Sequence, residues 1–378
     1  MVGFAVNRRV QPDPSPVASA LKPVGQSAGG LAAFPPEYFA LTMATGIVSL
    51  AVHYQGWIML AQVLLGLNIT AYLVLWGLTL MRFARHRARL LDDLTHHFHS
   101  AAFLTIVAGT CVLGCQFAVL TPWLSVAKAL WFAGIILWAG LSYTFFAVVT
   151  VRNPKPSLAA GINGVWLLAV VATESISTLG ILVSPYLTET KMALFFSLAT
   201  YLVGSMFYAF FITLILYRWM FFRMRPEKLT PDYWIDMGAL AIATLAGAFL
   251  LRATDHWSLL RDLKPFLLGF TLLFWAAATW WIPLLIIVEV WRHLRGHVRF
   301  IYSPDYWSLV FPLGMYSAAT FMLAQATGLT FLHPLAKAFA GVAALVWSIV
   351  FLGMIHGLVR WFRRTSRFAK SSVPARDG

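Results

Sequence analysis

An all-α integral membrane fold is predicted: ten transmembrane helices forming five helical hairpins with quasi-fivefold symmetry, the odd-numbered helices lining a central pore. Three observations predict it. Of the 378 residues, 60% are apolar and 11% are charged, against about 25% charged in a soluble domain. The apolar residues fall into runs of the roughly 20 residues needed to cross a bilayer. Basic residues gather in every second connection, and a tetrapeptide recurs at the period of one hairpin.

Hydropathy and breakers place the spans at 35–54, 57–82, 99–119, 123–150, 161–183, 191–222, 232–252, 263–292, 305–326 and 334–361. Turn-forming pairs separate them, among them Gln55-Gly56, Thr121-Pro122, Asn153-Pro154, Ser184-Pro185, Ser303-Pro304 and His333-Pro334. The segment 1–34 carries Arg8, Arg9 and several Pro, Gly and Ser without the apolar core of a signal peptide, and reads as a disordered cytoplasmic tail. Residues 35–362 form the ten-helix domain, and 363–378 a basic cytoplasmic tail.

The orientation follows from charge. Of the 28 lysines and arginines, 22 lie before the first span, after each even span or after the tenth, including Arg82, Arg85, Arg152, Arg218, Arg292 and Arg360. The positive-inside rule then puts both termini in the cytoplasm of a multi-pass protein of the cell membrane, the inner membrane in a Gram-negative cell. The net charge of +14 is therefore a topology signal that also suits anionic membrane lipids. Because it is spread over six segments, it does not indicate nucleic acid.

The tetrapeptide reads Pro36-Glu37-Tyr38-Phe39, Pro231-Asp232-Tyr233-Trp234 and Pro304-Asp305-Tyr306-Trp307, the first two copies 195 residues apart, or three periods of 65. Proline suits a first helical turn, the acid complements the positive helix end, and the aromatics suit the headgroup level. Odd spans are richer in Gly, Ser and Thr, and even spans in Phe, Trp and Tyr. Small residues favour close helix approach, which puts the odd helices inside and the even ones outside. Five inner helices starting on one side would converge their positive dipole ends on one mouth, a setting that favours anions. Their walls would offer Thr45, Gly46, Ser49, Thr105, Gly109, Thr110, Thr173, Ser177, Thr244, Gly247, Ser317 and Thr320 to a permeating ion.

Glu174 is the ionisable residue near the middle of an odd span. It reads either as a pore-facing group that couples protons to anion movement or as a structural hydrogen-bonding partner of a neighbouring helix. Cys111 and Cys115, four apart on one helix, read as packing residues. His96, His97 and His99 beside Asp92 and Asp93 read as a solvated membrane edge. No phosphate-binding glycine loop, nucleophile elbow or zinc-protease helix is found, so no catalytic residue, metal or cofactor is expected.

Two segments carry a resemblance to a known family: Leu41-Thr42-Met43-Ala44-Thr45-Gly46-Ile47-Val48-Ser49 in span one, and Trp307-Ser308-Leu309-Val310-Phe311-Pro312-Leu313-Gly314 with Ser317-Ala318-Ala319-Thr320 in span nine. The chain resembles the tellurite-resistance/dicarboxylate transporter family, which includes bacterial tellurite-resistance channel homologues, plant slow anion channels, fungal malate permeases and fungal sulfite exporters. The resemblance covers about residues 35–362. It implies a homotrimer whose protomers each hold a pore occluded by a phenylalanine, matched here by Phe311, with Pro312 matching the proline that bends the helix beside it. Small inorganic or organic anions are the implied cargo. The alternative within the same resemblance is a proton-coupled carrier or exporter of C4-dicarboxylates, sulfite or tellurite-type oxyanions.

Overall fold

Long helices dominate the computed structural model, which describes residues 30–226, 229–296 and 302–371. The helices are α1 (Phe39–Tyr54), α2 (Ile58–Leu94), α3 (Leu104–Leu120), α4 (Leu124–Val151), α5 (Leu168–Val183), α6 (Thr190–Phe221), α7 (Ile235–Arg252), α8 (Lys264–Gly296), α9 (Trp307–Thr327) and α10 (His333–Ser371). Among the described residues there is no β-strand, and nine helices are long and apolar enough to cross a membrane. The other, α1, has 16 residues, or about 24 Å of helix, and gains length from the turn at Pro36–Tyr38 that leads into it.

Each odd helix begins with a 3-10 turn: Pro36–Tyr38, Ser100–Phe103, Gly164–Leu167, Pro231–Trp234 and Pro304–Tyr306. Three of these are the recurring tetrapeptide. Proline sits in the first turn, where its missing N–H leaves no bond unmade. The turns also pack on one another, and Gly164 lets its turn sit directly on the backbone of Asp232 and Tyr233. At the other end, Gly56 (φ 81°) and Gly328 (φ 75°) take the left-handed conformation that ends α1's hairpin turn and caps α9.

The odd helices form a closed ring, α1 to α3 to α5 to α7 to α9 and back to α1, each touching the next. Each even helix lies against the odd helix before it and also reaches the one after, α10 closing onto α1. Burial separates the two sets. In the most apolar window of α3, α5, α7 and α9, 83% to 100% of residues are buried, against 17% to 44% for the even helices. Charged side chains are costly in a hydrocarbon-facing position. The even helices accordingly present Phe132, Ile136, Phe210, Trp280, Ile287 and Leu345 outward.

Two helices outrun their expected ends. α2 continues to Leu94, and non-helical angles at His86 bend it. The bend brings Asp93 back to Arg82, with which it forms an ion pair. α10 continues to Ser371, so residues 363–371 of the expected basic tail are helical, while 372–378 lie outside the described residues. The expected disordered segment likewise falls mostly on residues 1–29, outside the described residues. Within it, Leu31–Ala33 forms a 3-10 turn whose Ala32 carbonyl accepts from Arg82.

Candidate functional site

The ring holds two adjoining cavities. A vestibule of about 510 Å³ opens where the odd helices end, lined by residues that include Tyr54, Val119, Leu182, Phe249, Arg252, Ala253, His256, Phe321, Met322 and Gln325. Beyond it lies a lumen of about 10 Å³, close to the least volume that holds one water. Its wall draws on all five odd helices: Ile47, Leu50 and Tyr54 of α1, Val112 and Cys115 of α3, Ser175, Thr178 and Leu182 of α5, Ile242, Leu245 and Phe249 of α7, and Met315 of α9. Tyr54, Leu182 and Phe249 line both cavities and form a collar between them.

Phe311 lies four residues before Met315, one turn away on the same helical face, and is 1% exposed. Pro312 is inside α9 and meets Gly238 of α7, where a Cβ would stand 2.7 Å from the proline Cγ. Gly238 is itself one turn before the lumen residue Ile242. α7 therefore contributes no side chain beside this proline.

The expected pore wall is distinct from the lining of these two cavities. None of the hydroxyl, glycine and carboxylate residues proposed for it lines either cavity. Most face the even helices. Outer aromatics bond four of them: Trp347 Nε1 donates to Thr45 (2.9 Å), Trp138 Nε1 to Thr173 (2.9 Å) and Trp275 Nε1 to Thr320 (3.0 Å), and the Tyr72 hydroxyl pairs with Thr110 (2.8 Å). Three serines donate to a carbonyl of the next helix: Ser49 to Ala61 (2.8 Å), Ser177 to Ser197 (2.7 Å) and Ser317 to Ala336 (2.7 Å). Thr105 donates to Ala102 and Pro36, and Thr244 to Leu240 of its own helix. Gly46 abuts Asn68, Gly109 abuts Thr42, and Gly247 abuts Tyr201 and Thr271. Glu174 is fully buried with its carboxylate against Gly204 of α6, where a Cβ would stand 2.5 Å from Oε1. The physical reason is common to all. Hydroxyls between two packed helices find partners there or on their own helix, and small residues let the helices close, as Gly204 does on the Glu174 carboxylate.

Besides the Tyr54 phenol, the lumen hydroxyls are Ser175 and Thr178, which share α5 with Thr173 and Ser177. Their protons go to the carbonyls of Val171 (2.5 Å) and Glu174 (2.8 Å). The remaining wall is apolar apart from the thiol of Cys115. The mouth where the odd helices begin also differs from expectation. Glu37, Asp232 and Asp305, the acids of the three tetrapeptides, stand within electrostatic reach of one another there. Buried arginines of the even helices flank them: Arg218 donates to the Tyr233 hydroxyl (2.6 Å), and Arg292 lies beside Asp305 and Tyr306.

On the same face, His99 Nδ1 lies 3.6 Å from Asp93 Oδ1 and stacks on His96 at 4.6 Å. The Asp93 hydrogen bond raises the pKa of His99, while burial, with the charges of His99 and Arg152, lowers that of His96. Among the described residues no group of three or more His, Cys, Asp or Glu is placed to hold a metal.

A helical ring with a vestibule adjoining a narrow lumen can be set beside known proteins. The voltage-dependent anion channel family matches residues 33–355. The chain belongs to that family. It is 34% identical over 165 residues to an uncharacterized membrane protein of Mycobacterium tuberculosis, covering 44% of this chain and 83% of that one. An uncharacterized transporter of Methanocaldococcus jannaschii is 22% identical over 303 residues, 78% of this chain and 86% of the transporter. The sulfite efflux pump SSU1 of Arthroderma otae is 23% identical over 341 residues, 84% of this chain and 89% of the pump. As a member of this family the chain is a multi-pass membrane protein and an anion transporter or channel.

Proposed function

We propose that the chain is a pore for small anions, running along the axis of the α1–α3–α5–α7–α9 ring and occluded by Phe311. Ten spans cross the cell membrane as five like-oriented hairpins about a quasi-fivefold axis, with both termini in the cytoplasm. Three copies assemble as a homotrimer, each with its own pathway. One observation carries the reading: all five odd helices contribute to a lumen of about 10 Å³ that shares Tyr54, Leu182 and Phe249 with a wide vestibule. Phe311 continues the face of Met315 beyond that lumen. Pro312 beside it removes a helical hydrogen bond and lets α9 bend there. A phenyl ring on such a path blocks it by size and by excluding water.

Phe311→Ala tests this. In proteoliposomes, nitrate or chloride efflux through the variant is expected to rise several-fold over the wild type, with an unchanged elution profile of the purified protein. An efflux rate equal to the wild type's would remove Phe311 from the gate.

A second reading is an exporter of sulfite or related oxyanions, favoured by the coverage of most of this chain by fungal sulfite efflux pumps. It requires saturable, pH-driven uptake and no single-channel current, whereas the pore reading requires the current.

A further inference from the structure

The vestibule contains a charge that the pore reading leaves unused. Arg252 ends α7 and stands exposed in the cavity wall one turn beyond Phe249, a member of the collar. The Tyr54 phenol, also of the collar, lies within its electrostatic reach. Among the described residues that line the vestibule there is no carboxylate, and His256 and Gln325 add further hydrogen-bonding groups. Asp255 is exposed beside His256 but is not part of this wall. The lumen beyond offers no charge, and the hydroxyl protons of Ser175 and Thr178 there are taken by carbonyls of α5.

We propose that Arg252 forms, with His256 and Gln325, a capture site for small oxyanions at the vestibule end of the pathway. The site rests on the anion-passage reading and adds to it the place where the ion is first held. An anion must lose water to pass the collar of Tyr54, Leu182 and Phe249. A guanidinium directly above that collar raises the local anion concentration and replaces part of the lost hydration. Its planar fork of N–H donors matches two oxygens of a nitrate- or sulfite-type ion, which an ammonium does not. Arginine at a helix C-terminus also complements the dipole. That structural role is met equally by lysine, and the difference between the two side chains is therefore the informative quantity.

The test uses purified full-length wild type, Arg252→Lys and Arg252→Gln, with nitrate, sulfite and chloride as probes. Binding is read as the anion concentration that half-maximally raises the melting temperature, and flux as the concentration dependence of the initial rate in proteoliposomes. In Arg252→Gln both half-saturation values for nitrate and sulfite are expected to rise roughly two- to five-fold, the scale of a partly exposed ion contact, with the maximal rate retained. Arg252→Lys is expected to keep the wild-type value for chloride and weaken nitrate and sulfite. If Arg252→Gln binds and transports with wild-type half-saturation, the capture site is overturned. If Arg252→Gln does not fold, an unchanged nitrate-to-chloride ratio in Arg252→Lys overturns it instead. Arginine-dependent binding in a wild type that carries no anion flux would remove the pore reading and leave the site standing.

Discussion

Asp93 receives two cationic partners, Arg82 and His99, at the face where the odd helices begin. Because Asp93 raises the His99 pKa, protonated His99 is favoured in the folded protein. That contribution is fully present below the ordinary histidine value of about 6.5 and is lost as pH rises through the raised value of the folded state. His96, lowered mainly by burial, acts in the opposite sense, and Asp92, Arg152 and Glu37 complete the charges around the pair. His99→Gln should therefore lower the melting temperature at pH 5.5 and leave it near the wild-type value at pH 8.5. A deficit that grew toward alkaline pH would contradict the assigned pairing. The same residue scale holds the main departure from expectation, since Thr45, Thr173 and Thr320 are satisfied by tryptophans of the outer helices.

Helices that are buried on every side explain that departure. An amphipathic stripe reveals which face of a helix is buried only when the opposite face meets another solvent, and α3, α5, α7 and α9 are wrapped on all sides. Their membership of the inner ring was legible in the excess of Gly, Ser and Thr, and the starts of α7 and α9, like that of α1, in the repeated Pro-acid-Tyr turn. Which of Thr173, Ser175, Ser177 and Thr178 meets the axis was not, because each is a hydroxyl on the same buried helix. The extension of α2 past the membrane was missed for a different reason: charge ended the apolar run at Arg82, while the helix itself continued. Gly238 gives the element scale its own test. A Cβ there would stand 2.7 to 3.3 Å from three atoms of Pro312, a rigid ring in a helix that cannot swing aside. Gly238→Ala should force α7 and α9 apart and cost about 1–3 kcal/mol, as overpacking does. Thermal unfolding in detergent should show it as a lowered midpoint, and an unchanged midpoint would mean that the two helices are not locked together at this contact.

At the scale of the whole molecule, the ring gives every odd helix axial contacts and contacts with its outer partner, and the two cysteines of α3, one turn apart, divide between them. Cys115 lines the lumen, whereas Cys111 presses on Gly134 of α4, where a Cβ would stand 2.7 Å from its sulfur. Both are buried and reduced. A thiol reacts as its thiolate and therefore needs water, which a lumen of about 10 Å³ with Phe311 in place scarcely admits. Phe311→Ala should hydrate the axis and expose Cys115 alone. A small anionic thiol reagent such as 2-sulfonatoethyl methanethiosulfonate should then modify Cys115 in that variant, block its anion efflux, and leave Cys111 untouched, as peptide mass analysis would show. Cys115→Ser in the same background should keep the efflux and abolish the block. The wild type should be labelled at neither position. Equal labelling of both cysteines would indicate general loosening of the bundle, and an efflux that survives stoichiometric modification of Cys115 would place the ion path somewhere other than the axis of the five odd helices.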